Sequence, residues 1–386
     1  MKPELVIVAA KRTPLGGFLG SLSAMSAIDL AIASHQACIQ QAGIDNNFID
    51  EVIMGCVLSA GLGQAPARQT ALGAGLSSHT VSSTINKVCG SGMQALMQAC
   101  DSIAANRSEI VLAGGMESMS NAPYLLPKAR KGYRLGHGEC LDHMWWDGLQ
   151  DAYSPHKKLM GCFAELAANT LNFSREDQDA WARISMERAL NAQKNGYFSQ
   201  EITPIADICQ DEQPDPAKLE KLARLKPVFE AEGRITAGNS SSIADGAASL
   251  LIMRTERAQQ LGMTPLAKIC GFSQYAQDPA WFTTAPGFCV DRLLKKLSWT
   301  INDVDLWEIN EAFAVVTMAA ISHLKLDSSV VNIHGGACAL GHPIGASGAR
   351  IVVSLLYALH QQQKKRGIAA ICIGGGEALA MAIERL

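Results

Sequence analysis

A cysteine in a turn of small residues is the most reactive feature of the sequence. Cys89 lies at the centre of residues 86–92. A β-branched stretch before it predicts a strand at residues 80–85, and the apolar periodicity after it predicts a helix at residues 93–105. The free N–H groups and the positive end of the helix dipole at such a turn favour a thiolate over a thiol. This stretch alone is equally consistent with an inert, buried thiol.

Three stretches in the second half of the chain end in residues that can do polar or acid–base chemistry. Asn310 follows a predicted strand, His342 lies in a turn before a predicted helix, and Cys372 ends a predicted strand. Each has an ordinary structural explanation, as a helix cap, a hydrogen-bonded core histidine or a buried thiol. Together with Cys89, however, they provide a nucleophile, two groups that move protons and a polar amide.

Size and composition predict a soluble globular protein. The chain has 386 residues, of which 48% are hydrophobic, and this is enough for two or more domains. The net charge of -3 gives no general attraction to nucleic acid or to anionic membranes, and no apolar run reaches the length of a membrane span. The eleven cysteines include no Cys-x-x-Cys pair, and we recognise no targeting segment, so we expect reduced thiols and a cytoplasmic protein.

A pattern near the N-terminus recurs near the C-terminus. Residues 49–55 match residues 304–310 in their alternation, and residues 114–117 resemble residues 374–377. The intervening residues, from about 118 to 243, are rich in charge, proline and tryptophan and are interpreted as an insertion over the first sheet. Strands and helices alternate in the first copy: strands at residues 5–10, 51–58 and 110–113, and a helix at residues 28–42. We therefore predict two similar, pseudo-symmetric α/β halves with largely parallel sheets.

Two other kinds of site have weak support. His137, Cys140 and His143 are three residues apart, but three ligands without a fourth favour an ordered contact loop over a metal site. The glycine-rich residues 61–75 contain no Gly-x-Gly-x-x-Gly pattern after a strand, which argues against a dinucleotide site.

The sequence resembles the thiolase family over almost its whole length. The motifs that carry this resemblance occur in the family's order: Val88-Cys89-Gly90-Ser91-Gly92, residues 310–314, Gly341-His342-Pro343 and Cys372-Ile373-Gly374. The resemblance implies an α/β thiolase fold, with two βαβαβαββ halves in an αβαβα sandwich and an inserted loop domain. The implied limits are residues 1–118 with 243–265 for the N-terminal half, 119–242 for the loop domain and 266–386 for the C-terminal half.

The resemblance also implies a role for each reactive residue. Cys89 would accept the acyl group, His342 would be its base, and Cys372 would be a second acid or base that moves the α-proton of the second substrate. His342 and a water held by Asn310 would stabilise the enolate oxyanion. The backbone N–H groups of Cys89 and Gly374 would stabilise the oxyanion on the acyl-enzyme. Six residues would line the pantetheine channel: Leu149, Leu159, Met160, Phe229, Ser241 and Phe313.

Within the family, the sequence is most similar to the acetyl-CoA acetyltransferases. This implies reversible Claisen condensation of two acetyl-CoA molecules to acetoacetyl-CoA and CoA, with CoA as part of the substrate and with no metal or cofactor. The alternative is the same chemistry run as thiolysis on longer 3-ketoacyl-CoA chains. A non-catalytic CoA- or lipid-binding protein on this fold would lack Cys89, His342 or Cys372, and all of them are present.

Residues 138–149 resemble those of the short-chain, tetramer-forming thiolases. We therefore expect a homotetramer, a dimer of dimers, with residues 124–143 as the tetramer contact. The expected partners are acetyl-CoA, acetoacetyl-CoA and CoA, and not nucleic acid or a membrane.

A few positions depart from the family pattern. They are Leu159 in place of a histidine, the acidic residues 211–215 in place of a basic residue near the CoA adenine, His334 in place of an asparagine, and Glu377-Ala378 in place of a neutral residue and a glycine. We expect these positions to influence CoA affinity and acyl-chain length rather than the catalytic chemistry.

Overall fold

The computed structural model describes residues 3–386, and the first part of the chain alternates strands with helices. These elements are β1 (Leu5–Arg12), β2 (Gly16–Gly17), α1 (Ala27–Ala42), β3 (Glu51–Gly55), α2 (Pro66–Gly73), β4 (Val81–Ile85), α3 (Ser91–Ala104) and β5 (Ile110–Ser118). The helix α1 begins at a capping box formed by Ser26 and Asp29, and it ends at Gly43. The predicted helices and strands of this part are therefore present, with ends that differ by a few residues.

A long segment follows β5 before the chain returns to the sheet. It contains β6 (Tyr124–Leu125), β7 (Leu141–Asp142), α4 (Met160–Thr170), α5 (Arg175–Lys194), α6 (Pro216–Lys221) and one π-helical stretch (Met144–Leu149). The helix α5 buries Trp181 and is capped by Ser174 and Asp177. The limits of 119–242 for a separate loop domain stay a prediction.

The remaining elements complete the first half and form the second. They are β8 (Ala244–Arg254), α7 (Thr255–Gln260), β9 (Ala267–Ala276), α8 (Ala285–Leu297), β10 (Leu306–Ile309), α9 (Ala314–Leu324), α10 (Ala337–Leu340), α11 (Ser347–Gln361), β11 (Arg366–Ile373) and β12 (Glu377–Arg385). Within residues 3–386, none of these helices is both long and apolar enough to cross a membrane.

Both halves have the same strand order, which agrees with the repeat in the sequence. The order is β1-β8-β5-β3-β4 in the first half and β9-β12-β11-β10 in the second. The place of β4 is taken in the second half by an isolated bridge from Val331 to Trp307. The next residue, Asn332, has a positive φ of 50° and ends any strand there, while its side-chain amide bonds both backbone groups of Ile309. The second βαβαβαββ unit thus lacks one regular strand among the described residues.

The prediction of largely parallel sheets is wrong. The pairs β3–β4, β3–β5 and β10–β11 are parallel, and the other described pairs in this sheet are antiparallel. Each half ends with a strand, β8 or β12, that runs back antiparallel beside the preceding strand of the same sheet, after the long segment in the first half and after the turn of residues 374–376 in the second. The two halves are also joined, since β1 and β9 pair over three residues at Leu5–Ile7.

The joined sheet folds over a central layer of two helices. Apolar side chains of α3 and α11 pack between the inner faces of the two halves, as Leu96 and Leu355 do. The helices α1 and α2 cover the outer face of the first half, and α8 and α9 cover that of the second. This gives five layers in the order αβαβα, which is the predicted fold class.

Glycines let the two central helices approach closely at their N-termini. A Cβ atom on Gly92 would lie 2.8 Å from the backbone nitrogen of Ala349, and one on Gly348 would lie 2.5 Å from that of Met93. The Ser-Gly pair that begins both helices therefore has a packing reason. It brings the turns that precede α3 and α11 to one place between the halves.

Candidate active site

A cavity of about 460 Å³ contains several of the predicted site residues. Cys89, His342 and Gly374 lie in its lining, and they come from three different turns of the chain. All six predicted channel residues also line it: Leu149, Leu159, Met160, Phe229, Ser241 and Phe313. Asn310 and Cys372 are fully buried and are not part of this lining. A mostly apolar cleft with a few convergent polar groups is typical of a binding site for a small molecule.

The turn that carries Cys89 has a strained backbone and is held by two hydrogen bonds of Ser91. Val88, the residue before it, has a φ of 46°, which is unfavourable for a β-branched side chain. The hydroxyl of Ser91 accepts from the N–H of Lys87 at 2.8 Å and donates to the carbonyl of Val88 at 2.6 Å. These bonds hold the sulfur at the N-terminus of α3.

The thiol of Cys89 is not a resting thiolate, contrary to the expectation from its turn. Burial raises its pKa to about 11, and the opposing effect of the backbone N–H groups of Gly374 and of Cys89 itself is smaller. Cys89 therefore keeps its proton at neutral pH and requires a base to become a nucleophile.

His342 has the protonation and the tautomer of such a base. Its Nδ1 lies 2.6 Å from the hydroxyl of Ser347, whose single hydrogen is donated to the carbonyl of Pro343 at 2.9 Å. Nδ1 is therefore the donor, and Nε2 carries a free lone pair. Nε2 has no hydrogen-bond partner among the described residues. Burial, with a further contribution from Arg350, lowers the pKa of His342 to about 3, so that the ring is neutral.

Asn310 presents an unusual pair of free polar atoms. It lies directly after β10 and is fully buried, yet neither atom of its amide has a partner in the part of the chain that the structure describes. Buried polar atoms are nearly always bonded, so this donor and acceptor are available to a substrate or to a water.

Cys372 lies close enough to Cys89 for the two sulfurs to affect each other. It is the last residue but one of β11 and packs against Phe313 and Met160. Burial raises its pKa well above the ordinary value, and a charge on Cys89 would raise it further. Cys372 is therefore a protonated thiol at neutral pH.

Comparison with known proteins agrees with this arrangement. The family descriptions "Thiolase, N-terminal domain" and "Thiolase, C-terminal domain" match residues 5–256 and 263–385. The chain belongs to the thiolase family. Its membership explains the paired halves and the turns of Cys89, His342 and Gly374 that line one cavity.

The thiolase sequences and structures that resemble this chain cover it almost completely. It is 45% identical to acetyl-CoA acetyltransferase 2 of Arabidopsis thaliana, over 99% of this chain and 97% of that protein. It is 45% identical to the acetyl-CoA acetyltransferase of Thiocystis violacea, over 100% of both chains. The crystal structure of the Bacillus anthracis acetyl-CoA acetyltransferase superposes with a TM-score of 0.97 at 40% identity, covering 100% of this chain and 99% of that one. An Ascaris suum thiolase in complex with coenzyme A superposes with a TM-score of 0.95 at 40% identity, covering 99% of this chain and 100% of that one.

Sequence reasoning missed a residue that supports this thiolase site. Glu117, at the end of β5, is fully buried and accepts backbone N–H groups of Val57, Leu58 and Gly345 at 2.8–3.1 Å. It ties a turn of the first half to the turn that follows His342. Burial raises the pKa of Glu117 to about 7. A glutamate within the apolar run of a central strand is the signal that could have identified it.

Most departures from the family pattern lie outside the cavity lining. Asp211 is buried and bonds both terminal nitrogens of Arg12 at 2.6 and 2.9 Å, while Asp215 caps α6. Asp211 and Asp215 therefore make structural contacts. His334 is buried and bonds Gln361 at 2.7 Å. Leu159 does line the cavity, as predicted.

The histidines and cysteine of residues 137–143 do not converge. Nδ1 of His143 bonds Asp147 at 2.6 Å, and its Nε2 faces the N–H of Ala60 at 3.4 Å. Within the described residues, no group of three or more histidine, cysteine, aspartate or glutamate side chains is placed to hold a metal ion.

Proposed function

We propose that this thiolase is an acetyl-CoA C-acetyltransferase, which condenses two acetyl-CoA molecules to acetoacetyl-CoA and CoA through an acetyl group on Cys89. The observation that carries the proposal is a neutral histidine with a free Nε2 in the same cavity as a protonated cysteine. The relatives named above are acetyl-CoA acetyltransferases, and this supports acetyl-CoA as the substrate.

In the first half of the reaction, Nε2 of His342 removes the proton of Cys89, and the sulfur attacks the thioester carbonyl of acetyl-CoA. The backbone N–H groups of Cys89 and Gly374 stabilise the oxyanion that forms on the carbonyl oxygen. Collapse of this intermediate breaks the bond to the sulfur of CoA, which leaves with the proton of Cys372. The products are free CoA, acetyl-Cys89, a thiolate on Cys372 and a protonated His342.

In the second half, the thiolate of Cys372 removes an α-proton from a second acetyl-CoA. Protonated His342 and the amide of Asn310, directly or through a water, stabilise the enolate oxygen. The α-carbon attacks the carbonyl of acetyl-Cys89 and forms the new carbon–carbon bond. Cys89 then leaves as a thiolate and recovers its proton from His342. These steps involve side chains and backbone N–H groups of this chain, with CoA as part of each substrate and no metal or redox cofactor.

A chain-length assay tests the substrate. We expect the kcat/KM for thiolysis to be highest for the four-carbon 3-ketoacyl-CoA and to fall by about tenfold or more at eight carbons, because a pocket discriminates against added methylenes by about 1–3 kcal/mol. A maximum at eight to about twelve carbons would instead support a degradative thiolase for longer chains.

We propose further that the protein is a cytoplasmic homotetramer. Within residues 3–386, all eleven cysteines are free, and this supports a reducing compartment. Large apolar side chains in residues 124–143 are exposed to solvent, and this supports a contact with other subunits: Tyr124, Leu126, Tyr133 and Leu135.

A further inference from the structure

An ion pair joins the turn of Cys89 to the turn that follows Cys372. Lys87 lies two residues before Cys89, and Glu377 is the first residue of β12. The amine of Lys87 donates to the carboxylate of Glu377, and the two side chains are 23% and 37% exposed. Since Lys87 belongs to the first half and Glu377 to the second, the pair spans the boundary between the halves.

The backbones of both ion-pair residues are held by hydrogen bonds or strand pairing. The N–H of Lys87 is bonded to Ser91 in the first turn of α3. Glu377 pairs with Ile373 across the hairpin of β11 and β12, and with Ala276 of β9 on its other side. Because both backbones are held, the ion pair restrains the distance between the two turns and does more than fix the side chains themselves.

The restrained element is a turn of three glycines, residues 374–376. Its last residue is held by the N–H of Gln277, which donates to the carbonyl of Gly376 at 2.9 Å. Its first residue, Gly374, has no side chain with which to be held, and its N–H acts on the sulfur of Cys89. The pair of Lys87 and Glu377 is a further attachment, at the residue that directly follows the turn.

We propose that Glu377, through Lys87, is a positioning residue that holds the N–H of Gly374 against the acyl oxygen on Cys89. The proposal rests on the proposed function, in which this N–H stabilises the oxyanion. Such a donor is effective only within about 2.7–3.1 Å of the oxyanion, and losing one costs about 10²–10³ in rate. Glu377 itself lies outside the cavity lining, so its departure from the family pattern affects acylation rather than CoA binding.

Four variants separate the ion pair from other effects: Glu377→Gln, Lys87→Met, the two combined, and the charge exchange Lys87→Glu with Glu377→Lys. The first readout is the rate at which acetyl-CoA acetylates Cys89, measured by rapid quench and intact-protein mass. We expect each single variant to lose about tenfold in this rate, a part of the cost of a lost oxyanion donor, with KM for acetyl-CoA changed less than about twofold. The double variant should be no slower than either single variant, and the charge exchange should recover most of the loss.

Salt and a remote ion pair provide controls. About 1 M salt should slow wild-type acetylation toward the rate of Glu377→Gln and leave that variant unaffected, because the pair is partly exposed and is screened. Glu4→Gln breaks the similarly exposed pair of Lys268 with Glu4, far from the turns, and should keep the wild-type rate.

Three outcomes would overturn the role of the pair. They are a wild-type acetylation rate in Glu377→Gln, an effect of the variants on KM alone, and independent effects of the two single variants on the rate. Absence of a Cys89 adduct in the wild-type protein would instead overturn the proposed function. Hydrogen exchange then still tests the restraint, since the N–H groups of residues 374–376 should exchange faster in Glu377→Gln than in the wild-type protein or in Glu4→Gln. Equal exchange in all three would refute it.

Discussion

The two cysteines of the site are both protonated at rest, and this determines how they must work. Burial raises the pKa of Cys89 to about 11 and places that of Cys372 well above its ordinary value. The site therefore depends on proton transfer between neighbours and not on a thiolate formed in advance by the helix dipole. In the proposed mechanism, Nε2 of His342 takes the proton of Cys89, and the departing CoA takes the proton of Cys372.

The different roles of the cysteines predict different failures of their alanine variants. Cys89→Ala should lose the acetyl adduct of about 42 Da and all turnover, because no other group accepts the acyl chain. Cys372→Ala should still form the adduct, more slowly, and should lose condensation together with exchange of the α-protons of acetyl-CoA with solvent. Intact-protein mass spectrometry and proton NMR of the substrate measure the two quantities. An adduct that survives in Cys89→Ala and disappears in Cys372→Ala would contradict the assignment.

His342 predicts an unusual pH profile. Because its pKa is lowered to about 3, the ring stays a neutral base as the pH falls through 6.5, where an ordinary histidine becomes charged. We expect kcat/KM for acetylation of Cys89 to change less than about twofold between pH 5.5 and 7.5. An acidic limb with a midpoint near 6.5 would show that His342 is not held neutral.

The lowered pKa of His342 makes the stability of the fold depend on pH, although it makes the acetylation rate nearly independent of pH. The unfolded chain takes up a proton on His342 near pH 6.5 and the folded chain does not, so this contribution to stability is full above pH 6.5 and is lost as the pH falls toward 3. Circular dichroism must therefore confirm that the protein is folded at each pH used for the rate measurement.

At the scale of elements, the close approach of α3 and α11 is what places Cys89 beside His342. We expect Gly348→Ala to destabilise the protein by about 1–3 kcal/mol, since the new methyl group would meet the backbone nitrogen of Met93 at 2.5 Å. It should also reduce acetylation of Cys89 by moving the turns apart. Urea unfolding measures the first effect. Asp101→Ala on the exposed side of α3 is the control and should change stability by less than about 0.5 kcal/mol, whereas equal stability of both variants would contradict this packing.

Local elements could be predicted from the sequence because local patterns determine them. The helix α1 has its capping residues at Ser26 and Asp29 and its glycine at position 43, and β3 and β10 show the same alternation of residues. The missing strand beside β10 could not be predicted, because it depends on the positive φ of Asn332 and on its bonds to Ile309, which is 23 residues away. The raised pKa of Cys89 also depends on burial by distant segments rather than on its own turn.

At the scale of the whole molecule, strand direction was the main error of sequence reasoning. The pattern of alternating strands and helices indicates parallel neighbours, and β3, β4 and β5 obey it. The strands β8 and β12 do not, because a long insertion or a tight glycine turn replaces the crossover helix before each of them. The motifs did bring Cys89, His342 and Gly374 to the lining of one cavity, while the roles assigned to the reactive residues stay a prediction.

The exposed apolar loop leads to a prediction about assembly. Residues 124–143 carry Tyr124, Leu126, Tyr133 and Leu135 on their surface, and burying such a side chain contributes about 1.5–3 kcal/mol. Several of them per subunit are enough to hold a closed, symmetric oligomer at micromolar concentration. We therefore expect light scattering to give four times the 41.1 kDa mass of one chain.

Two substitutions test whether this loop is the tetramer contact. Leu135→Asp places a charge in the contact and should reduce the tetramer to a dimer while the acetylation rate of Cys89 stays within about threefold, because the catalytic residues lie outside the loop. Leu386→Asp changes another exposed leucine, at residue 386 and outside the loop, and should leave the tetramer intact. A wild-type monomer would contradict any assembly. A Leu135→Asp tetramer as stable to dilution as the wild-type one would place the contact elsewhere on the molecule.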